Sequence, residues 1–242
     1  MRISIWIIPV FISTATYSQE KQEVHKNPIE ARVTFSINSN GLAPVPAFGL
    51  GKPALVSSVN LVIGRFSYDP ALAYSIIMKP WYIDNWFHYK IIDKPKFELK
   101  AGVNFSTFCS GYQINGEEIL KAERYFAFSM EGVYKFTPVS TLTLDYWSDN
   151  GQERGSLRGH FMYLAYDRSE LGIGEKGLFS LNLMLFYINY TGKNDGLFFS
   201  PKMSLSLRNF PASLFFQATQ SIQSNISPWP GFKWNVGISY NL

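Results

Sequence analysis

Lys96-Phe97-Glu98-Leu99-Lys100-Ala101-Gly102-Val103-Asn104-Phe105-Ser106-Thr107 changes character at every step. Phe97, Leu99, Ala101, Val103 and Phe105 alternate with Glu98, Lys100, Gly102, Asn104 and Ser106. An extended strand sends successive side chains to opposite faces, so this run makes one greasy face and one polar face. The last residues repeat it, with Phe232, Trp234, Val236, Ile238, Tyr240 and Leu242 set against Lys233, Asn235, Gly237, Ser239 and Asn241. Shorter versions run through Val33, Phe35 and Ile37, through Phe126, Phe128 and Met130, and through Met203, Leu205 and Leu207. Helical periodicity is weak and confined to Glu117 to Glu123.

Alternation alone also fits a soluble β-sandwich with its apolar face turned inward. The connections separate the two readings. Strand runs bounded by turn residues fall at about 31–39, 54–66, 70–78, 82–92, 96–110, 122–136, 140–148, 155–167, 177–190, 196–208, 212–223 and 231–242. In a closed sheet with both termini on one side, the even-numbered connections return to that side and should be short. They read Ser67 to Pro70, Asp93 to Lys96, Thr137 to Ser140, Asp167 to Lys176 and Asn209 to Ala212, and all but the fourth are tight turns containing proline. The odd-numbered connections, Asn40 to Pro53, Cys109 to Lys121, Asp149 to Arg154, Thr191 to Asp195 and Gln223 to Pro230, are mostly longer, with Lys79 to Tyr82 the short exception. The expected fold is therefore all-β, a transmembrane antiparallel up-and-down β-barrel of about twelve strands, with ten as the alternative.

The amino terminus sets the compartment. Met1 and Arg2 precede an apolar run from Ile3 to Ile12 broken by Pro9, and Thr16-Tyr17-Ser18 supplies small residues for cleavage before Gln19. The apolar run is half of the roughly 20 residues a spanning helix needs, so residues 1–18 read as a signal peptide. Residues 19–30 are polar and charged and read as a flexible periplasmic tail, and residues 31–242 read as the barrel domain. The single cysteine, Cys109, lies far from the cleavage site and has no partner, which argues against a lipid anchor and an internal disulfide. A formal net charge of +4, spread along the chain, does not point to nucleic acid. Aromatic residues make up 17% of the chain, yet no apolar run outside the leader reaches the length of a helical span.

The chain ends Asn235-Val236-Gly237-Ile238-Ser239-Tyr240-Asn241-Leu242. This resembles the carboxy-terminal assembly signal of outer-membrane barrels, although Leu242 stands where a terminal Phe is commonest. The resemblance implies recognition by the barrel-insertion machinery. Gly64 to Pro70, Lys79 to Trp86, Asn115 to Leu120 and Phe232 to Asn235 look like segments of small uncharacterised outer-membrane barrels from Bacteroidetes-type Gram-negative bacteria. That likeness implies a fold and a location, the outer membrane with its lipid and lipopolysaccharide, and no activity.

No catalytic residue, cofactor site or metal site is nominated. Barrel enzymes that cut lipids resemble one another in carrying His and Ser two residues apart on one strand. His88 is followed by Tyr89-Lys90 and His160 by Phe161-Met162, so a nucleophile would have to come from a neighbouring strand. His25 falls in the tail. The histidines and the lone cysteine form no ligand cluster. Gly172 and Gly174 read as turn glycines rather than a phosphate cradle.

The polar faces carry ionisable and amide groups: Lys90, Glu98, Lys100, Asn104, Glu131, Lys135, Asp145, Arg158, His160, Lys202 and Arg208. They are the candidate lumen lining, either a solute path or a set of cross-strand pairs that fills a narrow lumen. Trp81, Trp86, Trp147, Trp229 and Trp234 fall toward the loop ends of strands and read as a membrane-interface girdle, a sugar- or nucleobase-stacking platform being the alternative. The loop from Asn40 to Pro53 either folds into the barrel mouth or stands exposed. A narrow channel for a small solute leads, ahead of a structural or assembly-partner barrel, with a lipid- or peptide-hydrolysing barrel third.

Overall fold

A computed structural model describes residues 29–43, 45–114, 117–156, 158–190, 194–227 and 231–242. Twelve strands follow in chain order: β1 (Ile29–Asn38), β2 (Ala54–Ile63), β3 (Phe66–Ser75), β4 (Pro80–Lys94), β5 (Phe97–Ile114), β6 (Glu117–Thr137), β7 (Ser140–Gly151), β8 (Arg158–Ile173), β9 (Gly177–Tyr190), β10 (Asn194–Leu207), β11 (Ala212–Ser224) and β12 (Lys233–Asn241). Each strand pairs antiparallel with its sequence neighbours, and β12 returns to β1 to close the barrel. At that seam the pairing runs from Thr34↔Asn241 to Asn38↔Gly237, and Leu242 N–H donates to the Val33 carbonyl at 2.9 Å. Closure matters physically because an unpaired backbone N–H or C=O in hydrocarbon costs several kcal/mol, and a closed ring leaves no edge.

The alternation sorts the side chains as the sequence pattern requires. Phe105, Phe128, Leu144, Leu205 and Ile238 stand exposed on the outside. Asn104, Asp145, Ser200 and Asn235 are buried inside. This inversion of a soluble protein, with an apolar exterior and a polar interior, suits a barrel whose solvent is lipid. No helix among the described residues is long and apolar enough to cross a membrane.

The connection parity holds in part: three odd-numbered connections, residues 76–79, 115–116 and 191–193, are as short as the even-numbered ones, and residues 152–157 are moderately longer. The five even-numbered connections hold between two and four residues, while β1–β2 is joined by residues 39–53 and β11–β12 by residues 225–232. We call these the turn end and the loop end.

Three expected boundaries need correction. The β2–β3 turn is Gly64-Arg65, not Ser67 to Pro70, because Gly64 adopts a φ of 60° that a tight turn favours. Pro70 consequently lies inside β3. Pairing to β2 lapses between Ser58↔Ala71 and Leu61↔Tyr68, where proline has no N–H to give. The broad loop expected from Cys109 to Lys121 is instead strand, with β5 and β6 paired out to Ile114↔Glu117. The long connection expected from Asp167 to Lys176 shrinks to residues 174–176, because β8 continues to Ile173 past a register shift between Arg168 and Leu171. Gly172 therefore sits in a strand, and only Gly174, with a φ of 60°, is a turn glycine.

Candidate functional site

The ring encloses two zones that differ in chemistry. Near the turn end, Lys100 Nζ meets Glu131 Oε1 at 2.8 Å, Lys135 bonds Glu98, and Lys90 Nζ stands 4.0 Å from Glu98 Oε2. These pairs bridge β4, β5 and β6 across the inner wall. Beside them His88 Nδ1 lies 3.0 Å from Asp69 Oδ2, and Asp69 also accepts from Asn60 and Ser67. Glycine at 102 makes this arrangement fit, since a Cβ there would collide with the His88 ring and Ser129 Oγ.

Toward the loop end the charges change. A cavity of about 570 Å³ is lined by Asp84, Glu123 and Asp149, by Asn104 and Ser156, and by the aromatic walls of Trp81, Trp86, Phe108, Tyr125, Trp147 and Tyr190. Asn104 Nδ2 donates to Asp84 Oδ1 at 2.6 Å. Glu123 is held by Lys121 at 2.6 Å and accepts from the Tyr125 hydroxyl at 3.4 Å. At the loop itself, the hydrogen bond from Arg124 holds the Glu153 carboxyl below the ordinary carboxylate range, at 2.7 Å.

Aromatic rings join across the inner wall of five strands. Trp86 stacks on His88 with centroids 5.3 Å apart and leans on Trp147 at 5.2 Å. Trp147 stacks on Phe161 at 4.5 Å, Phe161 meets Phe186 at 5.6 Å, and Phe186 stacks on Phe198 at 5.0 Å. The β1–β2 loop covers the far part of this row. Ala47 is buried against Phe161, Phe186, Ile188, Phe198 and Ile226, with Val45 and Phe48 packed beside it. The loop braces itself through Ala43 N–H to the Phe48 carbonyl (3.0 Å) and Leu50 N–H to the Gly41 carbonyl (2.8 Å). Of the two readings of Asn40 to Pro53, the structure has the loop folded into the mouth.

The register places the sequence-predicted lining residues as follows. Lys90, Glu98, Lys100, Asn104, Glu131, Lys135, Asp145 and Lys202 all fall on the inward set. Lys202 Nζ lies 4.8 Å over the Phe215 ring. Arg208 follows β10 at the turn end, exposed, with its guanidinium near Gly172. Two of the residues are misplaced. Ser148↔His160 and Asn150↔Arg158 are pairs of the outward set, and the His160 ring lies 2.8 Å from the hydroxyl of the exposed Tyr146. The cause is a one-residue error in phase, since Gly159, Phe161 and Tyr163 are the inward residues of β8.

The tryptophan girdle also needs correction. Trp81 is buried inside against Ala54, Ala73 and Tyr82, and Trp86 and Trp147 line the cavity. Trp234 does face outward, and Trp229 lies outside the described residues. The signal was present: Trp86 is four residues from Lys90 and Trp147 is two from Asp145, so each shares the polar phase of its strand. The same phase carries Asp84 and Asp149, which composition alone does not single out. Ser129 Oγ, across Gly102 from His88, has no hydrogen-bond partner, and the Ser67 hydroxyl reaches Asp69 at 3.1 Å rather than the His88 ring. Among the described residues no group of three His, Cys, Asp or Glu is placed to hold a metal ion.

Solved outer-membrane barrels superpose on most of this chain. The KdgM porin, in complex with disordered oligogalacturonate, superposes with a TM-score of 0.57 at 9% identity, covering 86% of this chain and 98% of its own. The chain has the fold of a small outer-membrane porin. The NanC porin gives a TM-score of 0.52 at 9% identity over 88% of this chain and 100% of its own. The COG4313 outer membrane channel from Pseudomonas putida F1 gives 0.50 at 8% identity over 94% and 99%. No protein-family model matches the sequence, and no curated protein matches it. At these identities the likeness carries the fold and leaves the solute to the lumen of this chain.

Proposed function

We propose that this barrel is a narrow outer-membrane channel for small solutes. The observation that carries the reading is the cavity of about 570 Å³ at the loop end, walled by polar and aromatic side chains inside a closed ring. Twelve strands are fewer than the 16–18 of open porins, so the path is expected to be thin and filled largely by side chains. The inserted β1–β2 loop narrows it further at the mouth. The KdgM and NanC structures, which share the fold, are described as porins.

Export by a cleaved leader at residues 1–18, a periplasmic tail from Gln19, insertion through the signal Asn235 to Leu242, residence among lipid and lipopolysaccharide, and a Bacteroidetes-type source belong to the same reading. They rest on the sequence. The turn end would then face the periplasm and the loop end the exterior.

A second reading, a structural barrel without transport, draws on the pairs Lys100–Glu131 and Lys135–Glu98, which tie charges of both signs across the inner wall. Single-channel recording of the purified protein in planar bilayers tests between the two. Discrete conductance steps are the expected result, and a silent bilayer at high protein density would give the structural barrel precedence.

A further inference from the structure

The loop-end cavity is a better match to one class of solute than to others. Every charged side chain lining it is a carboxylate, Asp84, Glu123 or Asp149, and no lysine or arginine among the described residues lines it. Two of the polar donors there are already committed within the protein: the Asn104 amide donates to Asp84 and the Tyr125 hydroxyl to Glu123. Acceptors are left over. Asn104 is 2% exposed, yet its Oδ1 has no hydrogen-bond partner, and Asp149 Oδ1 is also buried and unpartnered. A buried polar atom without a partner is costly, so these two acceptors favour an occupant that brings hydrogen-bond donors. A sugar hydroxyl both gives and accepts, whereas an ammonium or guanidinium only gives.

Trp86 and Trp147 stand at the same cavity with centroids 5.2 Å apart. The negative faces of indole rings attract a cation within about 6 Å. From the surplus acceptors, the carboxylates and the indole faces together, we propose that the cavity binds organic cations carrying an ammonium or guanidinium group. Asp84, Asn104 and Asp149 receive the donors, and Trp86 and Trp147 pack against the charge. This rests on the channel reading only for its physiological meaning, since binding can be measured without transport.

The test is calorimetric titration of the full-length mature barrel, folded in detergent, with arginine amide, trigalacturonate and maltose in parallel. Arginine amide is expected to bind saturably, and Asp84→Asn and Asp149→Asn to weaken it at least tenfold while keeping the heat-modifiable band of a folded barrel. If Asp84→Asn does not fold, Asp149→Asn carries the test alone. Trigalacturonate or maltose binding as tightly as arginine amide would overturn the proposal, as would arginine amide binding that both variants leave unchanged. Arginine amide binding to a protein that is silent in bilayers supports the site and removes the channel. Conductance steps with no binding overturn the site and leave the channel standing.

Discussion

A methyl group added to Gly102 would have to occupy space held by the His88 imidazole and Ser129 Oγ. Gly102→Ala is therefore expected to destabilise the barrel by about 1–3 kcal/mol, the usual range for overpacking, in urea unfolding followed by gel mobility. Polarity sets the cost on the other side of the wall. Leu205 faces outward and its neighbour Ser204 inward. Leu205→Arg should lose roughly 2–4 kcal/mol if it lies near the midplane, while Ser204→Arg should lose much less, and the reverse order would refute the register. The inward phase could be followed from the sequence wherever a charge marked it, as at Lys90, Glu98 and Asp145. It was lost on β8, where Arg158 and His160 are polar residues of the outer face near the loop end, while the inward charge Asp167 stands at the far end of the run. The tryptophans were misread for a related reason. An aromatic residue suits either an interface or a packed lumen, and phase, not residue type, separates the two.

At the scale of elements, the β1–β2 loop folds into the lumen, with Ala47 buried among Phe161, Phe186 and Phe198. A long charged side chain cannot share that pocket. Ala47→Arg is expected to drive the loop out of the mouth and to raise single-channel conductance severalfold. The strand ladder bears no part of that contact, so unfolding of the barrel should shift little. The existence of all twelve strands was legible from period two and from turn residues. The extension of β5 and β6 was not, because Glu117 to Glu123 carries mixed periodicity. Asn115-Gly116, the dipeptide that favours two-residue hairpin turns, was nonetheless the available clue. The insertion of the loop could not be read at all, since its seat is assembled from rings on β8, β9 and β10 that are far away in sequence.

For the whole molecule, the decisive property is that the sheet has no edge. A closed ladder resists detergent until heated, so the unboiled protein is expected to migrate faster on a semi-native gel than the boiled one, and identical mobility would argue against closure. The seam is the sensitive place. A Cβ at Gly237 would meet the Phe215 ring and the carbonyl oxygen of Ile37, which belong to the strands on either side of β12. Gly237→Val should therefore abolish the fast-migrating form, whereas Val236→Ala, on the outer face, should preserve it. The placement of the tryptophans also gives the molecule an optical consequence. Trp81, Trp86 and Trp147 lie within the ring, and Trp234 is the one outward tryptophan among the described residues. Acrylamide, which travels in water, and brominated lipid, which stays in the bilayer, would then dim different populations of indole emission. The ratio of the two dimmings becomes an intrinsic gauge of how far water penetrates the mouth, readable in intact vesicles without a label.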